Sequence, residues 1–229
     1  MKSILASVEN FIFGNRKECQ FNIHKAYQII ILPGMFGPVS RVFSLVGFLQ
    51  NHQSKYAVTA IPLGLSTSGF QSLVAMAITK IKNELLSQNH VEEIVILGHS
   101  HGGRVACAVL EKLLREYPQI NLSIITAGTP LVQKPQRLWI RRFFYHLFSG
   151  AFREWPEVKQ PQTGKGPVKK FIGYYSDEDK VVNSDSAKFG YRGELRRLDH
   201  FSHADFIRAS QMGPVLISVL EKEFAANLR

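Results

Sequence analysis

The chain has 229 residues, and its 28 lysines and arginines outnumber its 18 aspartates and glutamates, giving a formal net charge of +10. A hydrophobic content of 45% and a charged content of 20% are ordinary for a globular protein and exclude a disordered tail, a collagen or a coiled coil. No apolar run reaches the roughly 18 residues that a membrane-spanning helix needs. The two cysteines, Cys19 and Cys107, make no disulfide framework, and the first residues show no secretory pattern. A cytoplasmic location is therefore expected.

Short apolar runs alternate with helical patterns along the chain. Strands are predicted over 27–32, 56–61, 94–97, 122–127, 171–175 and 195–198. Four helices are predicted. The first begins at Pro38, the second has an apolar face from Leu73 to Leu86, and the others span 104–117 and 214–224. Because the strands are almost continuously apolar, the pattern favours an α/β fold with a parallel sheet covered on both faces.

The most informative motif lies between the third predicted strand and the helix after it. Gly98-His-Ser100-His-Gly102 has the Gly-x-Ser-x-Gly spacing of a nucleophile elbow, in which a serine stands on a sharp strand-to-helix turn. The helix N-terminus then favours negative charge that develops beside the serine. A glycine-rich phosphate-binding turn is the alternative, but the P-loop lysine and the glycine spacing of a dinucleotide site are both missing.

From Tyr27 to the C-terminus, except for 131–170, the chain resembles the lipase and esterase branch of the α/β-hydrolase superfamily. Besides the elbow, Leu32-Pro-Gly-Met-Phe-Gly37 resembles the family's oxyanion loop, and Ala127-Gly-Thr-Pro130 resembles a turn found in many lipases. The resemblance implies a single α/β-hydrolase domain over 1–229, with a mostly parallel central sheet, helices on both faces and a cap or lid insertion at 131–170. It implies neither a cofactor nor a metal ion.

The resemblance also assigns the catalytic groups around Ser100. The oxyanion donors are the backbone N–H groups of His101 and Met35, with Phe36 as the alternative to Met35. The acid is Asp179, because Asp179-Lys-Val-Val182 resembles the family's acid followed by valine, and Asp177 is the alternate. The two valines are expected to pack under the sheet and to hold the carboxylate toward the histidine.

Two histidines can complete the set in the family's order of serine, acid and histidine. His200 is favoured as the general base, since it follows the last short strand, and His203 is the alternate. His203 is otherwise expected to open the next helix. His99 and His101 flank the serine and are expected to line the pocket.

The segment 131–170 carries most of the positive charge. It has nine lysines and arginines against two glutamates, a net charge of +7, and aromatic residues are concentrated between Trp139 and Trp155. A basic aromatic segment at 136–155 can form a lid, line an acyl pocket, contact an anionic membrane or simply pack on the sheet. Binding of nucleic acid is disfavoured, because the segment lies beside a nucleophile and no nucleic-acid module is recognisable.

These features predict a serine hydrolase that cleaves carboxylic esters, with an acyl-ester or lipid substrate, through Ser100, His200 and Asp179. Two other classes stay open. One is an acyltransferase or thioesterase that uses the same triad. The other is a catalytically silent α/β-hydrolase-fold protein that binds a membrane or a partner.

Overall fold

Six parallel strands form one sheet in the computed structural model, in the order β2-β1-β3-β4-β5-β6. The structure describes residues 26–34, 39–53, 55–63, 69–84, 91–131, 158–161, 163, 168–188 and 190–224. The strands are β1 (Tyr27–Leu32), β2 (Tyr56–Ala60), β3 (Glu93–His99), β4 (Asn121–Ala127), β5 (Val168–Tyr175) and β6 (Glu194–Arg197). The parallel sheet predicted from the apolar runs is thereby confirmed.

Helices connect the strands and close the chain. They are α1 (Val39–His52), α2 (Phe70–Glu84), α3 (His101–Glu116), α4 (Ser184–Lys188) and α5 (Ala209–Val219), and α5 continues as a π-helical turn over Leu220–Phe224. Across the described ranges, every helix is too short or too polar to cross a bilayer.

The last helix begins five residues earlier than predicted. Pro214 was expected at its start but lies inside it, and the carbonyl of Arg208 accepts the N–H groups of Gln211 and Met212 at 3.1 and 2.8 Å. Met212 in this first turn is fully buried against the sheet. The free energy gained by burying the turn exceeds the cost of the backbone hydrogen bond that Pro214 cannot donate.

Alternate strand residues face opposite sides of the sheet and build two cores. Ile30, Ile96 and their neighbours pack with α2 and α3, and Cys107 lies in this core. The residues of the other face, among them Ile29 and Val95, pack with α1 and α5. This alternation gives the apolar strands two covered faces, as the sequence pattern required.

The order of the strands reverses at β1, which lies between β2 and β3. The connections that leave β1 and β3 therefore diverge, and such a switch point opens a crevice at the carboxyl ends of the strands. The Gly-x-Ser-x-Gly turn follows β3, and Pro33-Gly34 follows β1, so both line this crevice.

A buried arginine fixes the chain where the insertion begins. The Arg104 side chain is fully buried in α3, and its guanidinium donates to the carbonyl oxygens of Pro130 and Leu131 at 3.2 and 2.6 Å. It also lies over the ring of Phe70, 5.8 Å from the centroid. Residues 132–157, which contain the predicted lid segment 136–155, lie outside the described residues.

Candidate active site

Ser100 stands on a strained turn between β3 and α3. Its backbone φ is +54° with ψ −126°, a conformation that costs a non-glycine residue about 1–3 kcal/mol. The turn is held by the Ser100 N–H, which donates to the carbonyl of Ala127 on β4 at 3.0 Å. The strand and the helix that the elbow motif requires are both present, and His101 is the first residue of α3.

Glycines flank the serine because the helix packs directly on the neighbouring strands. A Cβ at Gly102 would meet the carbonyl oxygens of Leu32 and Pro33, and one at Gly98 would meet the Cα of Gly103. A Cβ at Gly34 would lie 2.9 Å from the Cβ of Ser100. The loop after β1 therefore passes immediately beside the serine, where the resemblance places an oxyanion loop.

Asp179 is a buried carboxylate that contacts two backbone N–H groups and one histidine ring. Its Oδ1 accepts the backbone N–H groups of Val181 and Val182 at 2.8 and 2.9 Å, and its Oδ2 lies 2.8 Å from the Nδ1 of His203. Val182 is buried, but the Val181 side chain is exposed. The expectation that both valine side chains pack under the sheet is therefore wrong for Val181, and it is the two backbone N–H groups that fix the carboxylate.

The turn after β4 makes room for this carboxylate and supports the elbow. Gly128 has a φ of +53°, and a Cβ there would lie 3.1 Å from the Asp179 Oδ2 and 2.9 Å from Phe206. Thr129 packs against Gly103, and its hydroxyl reaches the carbonyl of Gly98 at 3.4 Å. The Gly-Thr-Pro turn thus touches both the acid and the serine-bearing helix.

The acid faces His203 and not His200, which corrects the predicted Asp179–His200 pair. The His203 side chain is 17% exposed, whereas that of His200 is 88% exposed, and the His200 Nδ1 lies 2.9 Å from the Glu178 carboxylate. His200 occupies a turn position with a φ of +62°. Phe206 and Ile207 are buried, and their burial draws the segment around His203 inward.

The alternate acid, Asp177, lies at the surface. Its carboxylate pairs with Lys188 at 3.4 Å and with Arg197 at 3.3 Å. A hydrogen bond from Ser184, and then one from Lys188, lower the pKa of Asp177. These contacts turn Asp177 toward solvent-exposed cations, and Asp179 is the buried carboxylate that meets the partly buried His203.

The two histidines beside Ser100 are buried and neutral. Burial, and next the neighbouring His203, lower the pKa of His99 to about 3. Burial, and next the charge of Arg104, lower the pKa of His101 to about 4, and the His101 ring packs edge-on against Phe70. The His99 Nε2 lies 3.0 Å from the carbonyl oxygen of His203, a contact that the sequence analysis did not anticipate.

The loop donors Met35 and Phe36 fall outside the described residues, so their predicted contribution stays a prediction. His101 does lie at the start of α3, where the first N–H groups of a helix point beyond its N-terminus. Ser100, the His101 amide, the end of β1 and the Asp179–His203 pair thus all belong to the carboxyl edge of the sheet.

The chain matches a family model described as "PGAP1-like alpha/beta domain" over residues 55–211, which is more than half of its length. The match includes Ser100, Asp179 and both candidate histidines. This chain is a member of the PGAP1-like alpha/beta domain family. No curated protein sequence matches it.

Solved structures with a similar fold include three enzymes or enzyme-related proteins, all of low sequence identity. A lipase-esterase related protein from Clostridium acetobutylicum has a TM-score of 0.61 and 10% identity, with 90% of this chain and 98% of that chain covered. The RedJ thioesterase from Streptomyces coelicolor has a TM-score of 0.58 and 13% identity, covering 97% and 96%. Est1E from Butyrivibrio proteoclasticus has a TM-score of 0.58 and 12% identity, covering 89% and 90%. These similarities show that the PGAP1-like chain has the α/β-hydrolase fold.

Burial of His99 predicts a loss of stability in acid. An imidazole in the unfolded chain titrates near pH 6.5, whereas the native ring stays neutral down to about pH 3. Between these values only the unfolded chain binds the proton, so the free energy of unfolding falls as the pH falls, by about 1.4 kcal/mol per pH unit. His99→Gln should remove this contribution, as measured by urea unfolding between about pH 6.5 and 4.5.

Glu93→Gln is the matched control, because this substitution should change the pH dependence of the free energy of unfolding in the opposite direction. Burial raises the pKa of Glu93 from its ordinary value of 4.5 to about 7, so between these values the native carboxyl holds a proton that the unfolded chain releases. This group stabilises the fold as the pH falls, and its removal should steepen the loss in acid. Equal pH dependence in both variants and the natural protein would contradict the assigned burial effects.

Proposed function

We propose that this protein is a serine hydrolase that cleaves carboxylic esters, with Ser100 as nucleophile, His203 as general base and Asp179 as the acid that orients it. The observation that carries the proposal is the contact of 2.8 Å between the buried Asp179 Oδ2 and the Nδ1 of the partly buried His203, together with the serine on its strained turn. His203 replaces His200 in this role, because His200 is exposed and faces Glu178.

The hydrogen bonds around His203 support its protonation state. The Asp179 Oδ1 accepts two backbone N–H groups, which matches an ionised carboxylate, and such a carboxylate can only accept from the His203 ring. The Nδ1 of His203 therefore carries the proton in the pair, and its Nε2 is left with the lone pair of a general base. This base takes the proton from the Ser100 Oγ as that oxygen attacks the ester carbonyl.

The remaining steps follow from the same groups. The tetrahedral intermediate carries its negative charge on the former carbonyl oxygen, which the His101 amide and, as predicted from sequence, the Met35 amide stabilise. His203 then gives its proton to the leaving alkoxide, and the alcohol departs. Water, deprotonated by His203, attacks the acyl-serine. As this second intermediate collapses, His203 returns the proton to the Ser100 Oγ, and the carboxylic acid is released.

The proposed substrate class is acyl or lipid esters. It is supported by the basic and aromatic composition of 136–155, which suits an apolar acyl chain and an anionic membrane surface. The solved structures with this fold include a lipase-esterase related protein, a monoacylglycerol lipase from Paleococcus ferrophilus and the RedJ thioesterase. Assays should therefore include p-nitrophenyl esters of graded acyl length and the matching acyl-thioesters.

Removal of the nucleophile tests the proposal. Ser100→Ala should abolish labelling by a fluorophosphonate and lower ester hydrolysis by about 10⁴-fold or more, since no other group supplies the attacking oxygen. Ser44→Ala is the control, because Ser44 is exposed on α1 and its hydroxyl donates to the carbonyl oxygen of Ser40 in the same helix. Labelling that persists in Ser100→Ala would contradict the assignment. A natural protein that neither reacts nor hydrolyses would point to the silent binding class.

The choice of histidine is tested by a second pair of variants. His203→Ala should lower kcat by about 1,000-fold or more, because Ser100 then lacks a general base. His200→Ala should stay within about threefold of the natural protein, as expected of an exposed residue. The measurement is the steady-state kinetics of p-nitrophenyl ester hydrolysis, and the reverse ranking would restore His200 as the base.

A further inference from the structure

His99 forms a contact that links the two halves of the site. It is the residue before Ser100 and the last residue of β3, yet its ring reaches the segment around His203, 104 positions along the chain. The His99 Nε2 lies 3.0 Å from the His203 carbonyl oxygen, and the two imidazole rings are 4.7 Å apart between centroids. The elbow and the base are thus joined by a side chain that no step of the proposed reaction uses.

The chemistry of this contact fixes the direction of the hydrogen bond. A carbonyl oxygen can only accept, so the His99 Nε2 must carry the proton and donate it. The ring is only 4% exposed and neutral, so Nε2 holds its single proton and Nδ1 is left with a lone pair. Within the described residues that Nδ1 is buried and has no hydrogen-bond partner.

Such a ring is a poor choice for packing alone. A buried nitrogen without a partner costs stability, and an apolar side chain of similar size would avoid that cost. The ring also lies against Gly34, where a Cβ would be 3.3 Å from the His99 Nδ1. His99 therefore separates the loop after β1 from the His203 segment and contacts both of them.

The His203 segment needs such a support on this side. Its far end is tied by Asp205, whose Oδ2 accepts the Ser202 N–H at 2.9 Å and the Ser202 hydroxyl at 2.6 Å. The side chain of His203 is tied to Asp179, and its carbonyl oxygen receives the bond from His99. The position of the base is thus defined by one contact on its ring and one on its backbone.

We infer that His99 is a positioning residue for the proposed base: its Nε2–H holds the backbone of His203 so that the imidazole faces Ser100. The inference rests on the proposed function, since it assigns a role within that same site. A neutral ring suits the task, because His203 becomes cationic during the reaction and a second cation 4.7 Å away would oppose it.

Two amide substitutions at position 99 separate positioning from packing. A glutamine places its side-chain N–H₂ near the position of the histidine Nε2, whereas an asparagine reaches only as far as Nδ1. His99→Gln should keep kcat for a p-nitrophenyl ester within about threefold of the natural value, as expected where the hydrogen bond is retained. His99→Asn and His99→Leu should lower kcat by about 10- to 100-fold, with KM little changed, because the base is misplaced.

The midpoint of urea unfolding is measured for each variant alongside the kinetics. The inference expects His99→Leu to lose kcat while keeping a midpoint close to the natural one, a result that a merely structural role would not give. Should the leucine variant fail to fold, the comparison of glutamine with asparagine still decides. Equal kcat in these two variants would overturn the inference.

Failure of the inference can be told from failure of the proposed function. If the natural protein reacts with a fluorophosphonate and His99→Asn retains full kcat, only the role of His99 falls. If the natural protein shows neither labelling nor hydrolysis, the proposed function falls and the role of His99 falls with it.

Discussion

The close packing of the serine turn against the strands on either side is the constraint on which the rest of the site depends. Ser100 holds a positive φ because its N–H bonds to β4 and its neighbouring glycines leave no space between α3 and the end of β1. A Cβ at Gly102 would strike the backbone of Leu32 and Pro33. The turn is therefore set by backbone contacts from two strands, and these contacts offset the strain at the serine.

The same packing brings the acid and the base to the serine side of the sheet. Gly128 leaves room for the Asp179 carboxylate, and Thr129 and the carbonyls held by Arg104 fix the turn between β4 and the insertion. The His203 ring contacts the Asp179 carboxylate, and the His203 carbonyl oxygen contacts the ring of His99. Ser100, Asp179 and His203 are thus each fixed by at least one contact that is distant in sequence.

Much of the fold could be predicted from sequence because its central strands are apolar on both faces. Runs such as Ile94-Val-Ile-Leu97 have few other stable placements than the centre of a covered sheet. The elbow could be predicted because the Gly-x-Ser-x-Gly spacing followed a strand and preceded a helix. The predicted start of α5 at Pro214 is wrong. Proline favours the first turn of a helix, but burial of Met212 stabilises a helix that begins five residues earlier.

The choice between His200 and His203 could not be made from local pattern. Both lie in Asp199-His-Phe-Ser-His203, three residues apart, and the family order allows either. What separates them is the burial of Phe206 and Ile207, which turns His203 inward and leaves His200 beside surface charges. The nearness of His203 to two buried apolar residues was the available signal. The contact from His99 had no such signal, because it joins residues 104 positions apart.

The central claim is that Asp179 and His203 act as one unit on Ser100. The most direct test is the second-order rate of fluorophosphonate labelling of Ser100 in Asp179→Asn, in His203→Ala and in the double variant. Because Asp179 is proposed to act only through His203, the double variant should react no more slowly than His203→Ala alone. A double variant in which the two losses multiply, or a His203→Ala variant that is labelled at the natural rate, would contradict the account.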